Sequence, residues 1–432
     1  MRRRTMLAGA GAGLAAACTQ TLAVGATPKH FPHEFLWGAA TAGHQVEGNN
    51  VASDFWAMEH VQPTLFREPS GDADNSFELW PVDLDLVRGL GLNTYRFSLE
   101  WARIEPEQGH FSLAMLDHYK AMIEGCRARG LTPVVTFNHF TTPRWFAARG
   151  GWLAPDSADL FARYCDRAAR HLAAHIGYAT TLNEPNVSSE PLPAAIVQRF
   201  AAMDAAFHQA VGSDAYHSLP TLSAADQATH QSHLLQGHRK GRMAIKAVRP
   251  DLPVGVNLAL TDDEAQGPNS LRDAKRAQYY AAWFEAVRAD DFLAIQNYNR
   301  TIWGDHGRLP PPAGATIAST GDEIYPPSLA NAVRYAYQSA GIPILVTEHG
   351  LRTDNDAERA NFIPAALSEL QKVCAEGVPV KGYIHWTLLD NFEWVFGYAY
   401  HYGLCSVDRD TFRRTPKPSA YVLGAIARRN AI

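Results

Sequence analysis

Ile344-Leu345-Val346-Thr347-Glu348-His349-Gly350 and Thr180-Thr181-Leu182-Asn183-Glu184-Pro185 are the two most informative stretches of this chain. Each is a run of apolar and β-branched residues that reaches a glutamate and then meets a glycine or proline, which ends a strand. A buried parallel strand that stops at a carboxylate presents it at the mouth of a barrel, the face on which barrel enzymes carry reactive groups.

Six further runs of the same kind occupy residues 35–40, 93–98, 132–138, 253–259, 292–297 and 382–387, and with 178–183 and 342–348 they make eight. Helical patterns lie between them, among them 113–129, 156–175 and 357–375. Strands that alternate with helices from start to finish predict a single (β/α)8 TIM barrel over residues 27–432, with its active site at the C-terminal ends of the strands. Residues 190–248 read as helix with insertions. Residues 301–327, rich in proline and glycine, read as a long loop after the sixth strand that roofs the pocket.

The composition suits one large globular core: 432 residues, 46% hydrophobic and 19% charged. A formal net charge of −5 gives no electrostatic footprint for nucleic acid or an anionic membrane. Residues 1–26 read as an export signal instead of fold. Arg2-Arg3-Arg4 precedes a small-residue apolar stretch, resembling a twin-arginine signal too short to span a bilayer, and Val24-Gly25-Ala26 offers a cleavage site before Thr27. Export to the periplasm follows. A second reading stays open, because Leu14-Ala15-Ala16-Ala17-Cys18 resembles a lipoprotein site that would anchor the chain by lipid at Cys18. Cys126, Cys165, Cys374 and Cys405 lack metal or redox spacing and read as free thiols.

Counting strands puts Glu184 at the end of the fourth and Glu348 at the end of the seventh. Paired carboxyls about 5–5.5 Å apart are the machinery of glycoside hydrolysis with retention. Polar groups gather on the same rim: Gln45 after the first strand, Arg96 in the second, His139 ending the third and Tyr298 after the sixth. Any one of them could be a satisfied structural residue; their shared address points to a site.

Phe35-Leu36-Trp37-Gly38-Ala39-Ala40-Thr41 with Gln45-Val46-Glu47-Gly48, Tyr95-Arg96-Phe97-Ser98, Asn183-Glu184-Pro185, Thr347-Glu348 and the stretch from Gly382 to Trp394 carry a resemblance. In these motifs and in their order the chain resembles the family-one glycoside hydrolases, the β-glucosidase and β-galactosidase family. The resemblance implies a retaining β-glycosidase acting on a terminal β-linked sugar, without a cofactor. It implies that Glu348 is the nucleophile and Glu184 the acid and then the base. Arg96 and Tyr298 would hold Glu348 ionised, and burial beside that charge would raise the pKa of Glu184. Gln45, His139, Asn183 and Glu393 would bind sugar hydroxyls, while Trp386 and Trp394 offer faces to the ring. A charged Glu393 would also repel a 6-phosphorylated sugar.

The chain departs from the family pattern at several positions. Phe140 replaces a tryptophan, Gln296 and His349 replace asparagines, and Asp322 stands where a tryptophan often stacks on the leaving sugar. His401 and Tyr402 replace an arginine and a phenylalanine. Trp303 could supply the lost platform or could anchor its loop. His171 with His175, and His233 with His238, have no companion motif for a metal site, and no dinucleotide or phosphate loop is present. Two alternatives stand beside the hydrolase: a sugar-binding or sensing barrel without turnover, and an enzyme that mainly performs transglycosylation. Retention of both glutamates with Arg96 favours catalysis over mere binding.

Overall fold

The computed structural model describes residues 30–187 and 192–432. The expected export signal, its expected cleavage site and Cys18 lie outside the described residues. All eight expected strands form: β1 (Leu36–Ala40), β2 (Thr94–Ser98), β3 (Thr132–Asn138), β4 (Tyr178–Asn183), β5 (Val254–Ala259), β6 (Leu293–Asn297), β7 (Ile344–His349) and β8 (Val380–Trp386). They close a parallel barrel in which β1 pairs with both β2 and β8. Every residue of β7 is buried, as a parallel strand covered on both faces requires.

The apolar residues divide into two layers. Outward-facing Val135, Phe137, Val256, Leu258, Ile295 and Val346 join the core between strands and helices. Leu36, Val134, Phe292, Leu345 and Ile384 fill the inside of the barrel. Above that plug the interior turns polar. Thr136 Oγ1 and Thr180 Oγ1 lie 2.9 Å apart, and Asn257 Nδ2 donates to Thr180 Oγ1 at 2.8 Å. Buried polar atoms need such partners, and this layer is the floor of the site.

Helices cover the barrel where the periodicity placed them, at α1 (Leu113–Ala128), α2 (Ser157–Leu172) and, further on, α6 (Asp356–Ala375). Ser112 caps α1 by accepting from Met115 N at 3.3 Å. The described residues of the 190–248 segment form α3 (Ala194–Val211) and α4 (Ala224–Val248) around a short 3-10 turn. α4 packs closely on α2 because Gly241 presents no side chain there; a Cβ would meet Phe161 at 2.8 Å. α5 (Ser328–Ala340) precedes β7, and α7 (Pro418–Arg429) ends the chain.

The expected long loop after β6 is partly ordered sheet. Residues Arg300–Trp303 pair in parallel with Asp262–Ala265 and antiparallel with Arg308–Leu309. Strands this short are hidden in sequence by the prolines and glycines around them. Trp303 is buried there and donates its indole N–H to Asp263 Oδ1 at 2.7 Å, so it anchors the loop and is no platform for a sugar. At the other end of the barrel the two ends of the described chain meet. Asn430 accepts from Trp37 Nε1 at 2.9 Å, and Phe31 N donates to the Asn430 carbonyl at 2.9 Å. The cysteines Cys126, Cys165, Cys374 and Cys405 are all free.

Candidate active site

One cavity of about 150 Å³ at the barrel mouth is lined by Gln45, His139, Asn183, Glu184, Tyr298, Glu348, Trp386, Glu393 and Trp394, joined by Phe140 and Tyr402. Of the ten site residues expected from sequence, only Arg96 is missing from that lining. It lies buried just beneath, where its guanidinium ties the others together. Arg96 Nη1 donates to Glu348 Oε1 at 2.6 Å, Nη2 to Asn183 Oδ1 at 2.6 Å and Nε to Thr136 Oγ1 at 3.2 Å. Planar donors in a fixed fork suit one cation to three acceptors.

The two glutamates reach the cavity by different local means. Glu348 is the fifth residue of β7, two after the outward-facing Val346, and a register shift against β6 between those two residues turns it to the cavity. Behind it Gly350 lets the chain pass against β8, where a Cβ would lie 2.1 Å from the Trp386 carbonyl oxygen. Glu184 falls one residue beyond β4 in a left-handed conformation, φ 46°, while its N–H donates to Asn257 O at 2.9 Å. Phe140 and Trp394 in the same lining also have positive φ, at 67° and 53°. Such backbone costs a non-glycine residue about 1–2 kcal/mol, and its concentration around one cavity marks a place held for function.

Hydrogen bonding separates the carboxyls. Glu348 accepts at Oε1 from Arg96 and from Gln296 Nε2 at 2.8 Å, and at Oε2 from the Tyr298 hydroxyl at 2.5 Å. Burial and the neighbouring carboxylates hold the Tyr298 phenol well above its usual range, so it keeps its proton for that bond. Burial raises the pKa of Glu184 to about 8, the Glu348 charge adds to the rise, and only Arg96 opposes it. For Glu348 itself burial also wins, and its pKa is raised even though Arg96 and Tyr298 pull it down. The expected pull of Arg96 and Tyr298 toward the ionised form is present, and burial opposes it. Between the pair, the proton belongs on Glu184, because Glu348 has three donors aimed at its charged form.

The hydroxyl-binding set is built around neutral groups. Burial and the Arg96 cation hold His139 well below the usual imidazole range, and Asn183 Nδ2 donates to its Nε2 at 3.2 Å. Gln45 Oε1, His139 Nδ1 and Gln296 Oε1 are buried and find no partner among the described residues. Orphaned polar atoms at a cavity are the arrangement that rewards a hydroxyl-bearing ligand. Glu393, with Asn391 oriented to donate to its Oε1 at 3.0 Å, is pushed well above the carboxylate range by burial and by the charge of Glu348. Burial thus opposes the negative charge on which the expected repulsion of a 6-phosphate depends. Trp386 and Trp394 both lie near-parallel to the His139 ring, their centroids 5.8 and 6.0 Å from it.

Gln296 is the participant that sequence reasoning passed over. Its position was noticed as a departure, but nothing in a one-residue change shows that the longer side chain reaches Asn183 Oδ1 and Glu348 Oε1 at 2.8 Å each. Asp322, in the place of a stacking tryptophan, pairs with Arg352 Nε at 2.6 Å. His171 pairs with Asp117 at 2.7 Å and His238 Nδ1 lies 2.8 Å from Thr181 Oγ1, both outside the cavity. Among the described residues no group of three or more His, Cys, Asp or Glu side chains could hold a metal ion.

Fold and site together define a carbohydrate-cleaving barrel with two carboxyls on one cavity. The family model described as glycosyl hydrolase family 1 matches residues 27–301 and 315–432, and the chain belongs to that family. It is similar to the β-glucosidase of Agrobacterium sp., 29% identical with 92% of this chain and 95% of that protein covered. It is also similar to thermostable β-glucosidase B of Thermobispora bispora, at 30% identity over 98% of this chain and 97% of the relative. A crystal structure of a β-glycosidase superposes with a TM-score of 0.86 at 45% identity, covering 93% of this chain and 98% of the other. The chain is accordingly an O-glycosyl hydrolase.

Proposed function

We propose that this protein is a retaining β-glycosidase that releases the terminal sugar of a β-glucoside or related β-glycoside, with Glu348 as nucleophile and Glu184 as acid and base. The carboxylate of Glu348 attacks the anomeric carbon and forms a glycosyl ester. The bond to the leaving oxygen breaks, and that oxygen takes its electron pair and the proton of Glu184. Glu184, now ionised, removes a proton from water as the water oxygen attacks the same carbon. The ester breaks, and Glu348 returns as the carboxylate.

The observation that carries this assignment is the asymmetry of partners: Glu348 accepts from Arg96, Gln296 and Tyr298, while burial and its neighbour raise Glu184 to about 8. A nucleophile needs its charge and an acid needs its proton at the same pH. Incubation with a 2-deoxy-2-fluoro β-glycoside bearing an activated leaving group tests it. Peptide mass spectrometry should find the sugar on Glu348, and Glu348→Gly should lower turnover of aryl glycosides by at least about 10³-fold. Label on any other residue overturns the assignment. An added alcohol in the same assay measures how much glycosyl ester goes to transfer instead of water.

The leader extends the proposal to location. Arg2-Arg3-Arg4 and the small residues before Thr27 support export to the periplasm. The mature N-terminus tests this: a chain starting at Thr27 supports signal cleavage, and a lipid-modified Cys18 supports the membrane-anchored alternative.

A further inference from the structure

Two other cavities adjoin the sugar cavity, and they differ in chemistry. The first, about 300 Å³, shares Tyr298 and Tyr402 with it and is lined by charged groups already paired with one another. Arg300 Nη2 lies 2.7 Å from Glu323, and Arg352 Nε lies 2.6 Å from Asp322. The second, about 260 Å³, shares Phe140, Asn183 and Glu184 with the sugar cavity. Its wall is largely apolar, with Phe55, Trp152, Leu153, Leu219 and Leu234 among its residues.

Asp54, Asn138 and His230 of this second cavity are occupied or uncharged. Asp54 accepts from Thr142 N and Oγ1 at 2.8 Å each, and Asn138 Nδ2 donates to Thr141 O at 2.7 Å. Burial pulls the pKa of His230 down to about 4, leaving it neutral. Trp152 is fixed in place: its ring packs edge-on against Phe146 and Phe161, both at 5.5 Å, and Gly237 leaves room for it, since a Cβ there would meet Trp152 at 2.8 Å.

We propose that the cavity walled by Trp152 and Leu219 receives the leaving group, and that the natural substrates carry a flat apolar aglycone in preference to a second sugar. The inference rests on the glycosidase reading above. The acid must touch the leaving oxygen, so the atoms bonded to that oxygen enter the cavity that contains Glu184. Of the two adjoining spaces only the apolar one does. A second sugar would bring several hydroxyls to a wall that has few polar groups to spare, whereas a fused ring would exchange water for indole and leucine carbon.

The test uses phenyl and 2-naphthyl β-glycosides, whose leaving groups have similar acidity, with the sugar whose 4-nitrophenyl β-glycoside is cleaved fastest. Wild-type kcat/KM should favour naphthyl over phenyl by about tenfold, the scale of discrimination an apolar pocket supplies. Trp152→Ala and Leu219→Glu should each lower that ratio by about fivefold or more; a loss of folded enzyme cancels from a ratio. A wild-type ratio near one overturns the assignment, as does a ratio that neither variant moves. So does a higher kcat/KM for a β-linked disaccharide of the same sugar, because its leaving group is the poorer one. In those cases hydrolysis itself persists, whereas failure to cleave any aryl β-glycoside would overturn the glycosidase reading with it.

Discussion

Gln296 and Glu348 are joined by a 2.8 Å hydrogen bond, and the same Gln296 nitrogen lies 2.8 Å from Asn183 Oδ1. One amide on β6 thus couples the proposed nucleophile on β7 to a proposed sugar-binding residue on β4. Gln296→Leu removes a donor from the ionised form of Glu348, which raises the pKa of that carboxyl. The acid limb of the kcat/KM profile should move to higher pH by about one unit, the worth of a hydrogen bond to a charged group. Turnover at the optimum should fall about tenfold. An unshifted limb would make Gln296 a bystander.

Glu184→Ala should separate substrates by leaving group. Glycosides of poorly acidic alcohols need the donated proton and should lose about 10²–10⁴ in kcat/KM, while dinitrophenyl glycosides should lose far less in the first step. Equal losses would mean that Glu184 protonates nothing.

The raised pKa of Glu184, about 8, sets a basic limit to activity: the acid is lost as pH climbs through that value. It also affects stability, with a definite sign. The unfolded carboxyl ionises near 4.5, the folded one near 8, so between those values the unfolded state holds fewer protons and stability falls as pH rises. Glu184→Gln should therefore abolish hydrolysis of unactivated glycosides yet raise Tm by more at pH 8 than at pH 5, by about 2 °C or more. Thermal unfolding at the two pH values checks it.

Burial and the charge of Glu348 favour the neutral form of Glu393, and Glu393→Gln preserves that form. KM for the preferred glycoside should rise by no more than about fivefold, whereas Glu393→Leu, which leaves sugar hydroxyls unpaired, should raise it tenfold or more. A large effect of glutamine would show that the charge itself is used.

Much of this was legible in the chain because barrel strands are local objects. A run such as Ile344-Leu345-Val346-Thr347 declares its burial through composition alone, and the residue after it inherits its position at the mouth. Glu184, Glu348 and His139 could be placed for that reason, whereas Trp386 was placed by the family resemblance. Pairings made across the barrel were not legible. Arg96 and Glu348 are 252 residues apart, and the reach of Gln296 depends on a rotamer and one methylene. Trp303 looked equally suited to a sugar face or a loop anchor until Asp263 was seen accepting its indole proton. The short strand Arg300–Trp303 was missed because its partners lie outside the run itself. The push of burial on Glu393 was not legible either, because burial depends on everything packed around it.

Trp37, near the start of β1, is bonded to Asn430, two residues from the end of the chain, and β1 then runs from there toward the cavity. Whatever is fused or immobilised upstream of residue 30 joins the molecule on the side away from the opening. A bead, a surface or a carrier domain attached there would leave the entrance facing bulk solvent. The adjacency of His30 and Ala431 makes residues 30–432 a candidate for circular permutation, with new termini cut elsewhere and a short bridge joining those two.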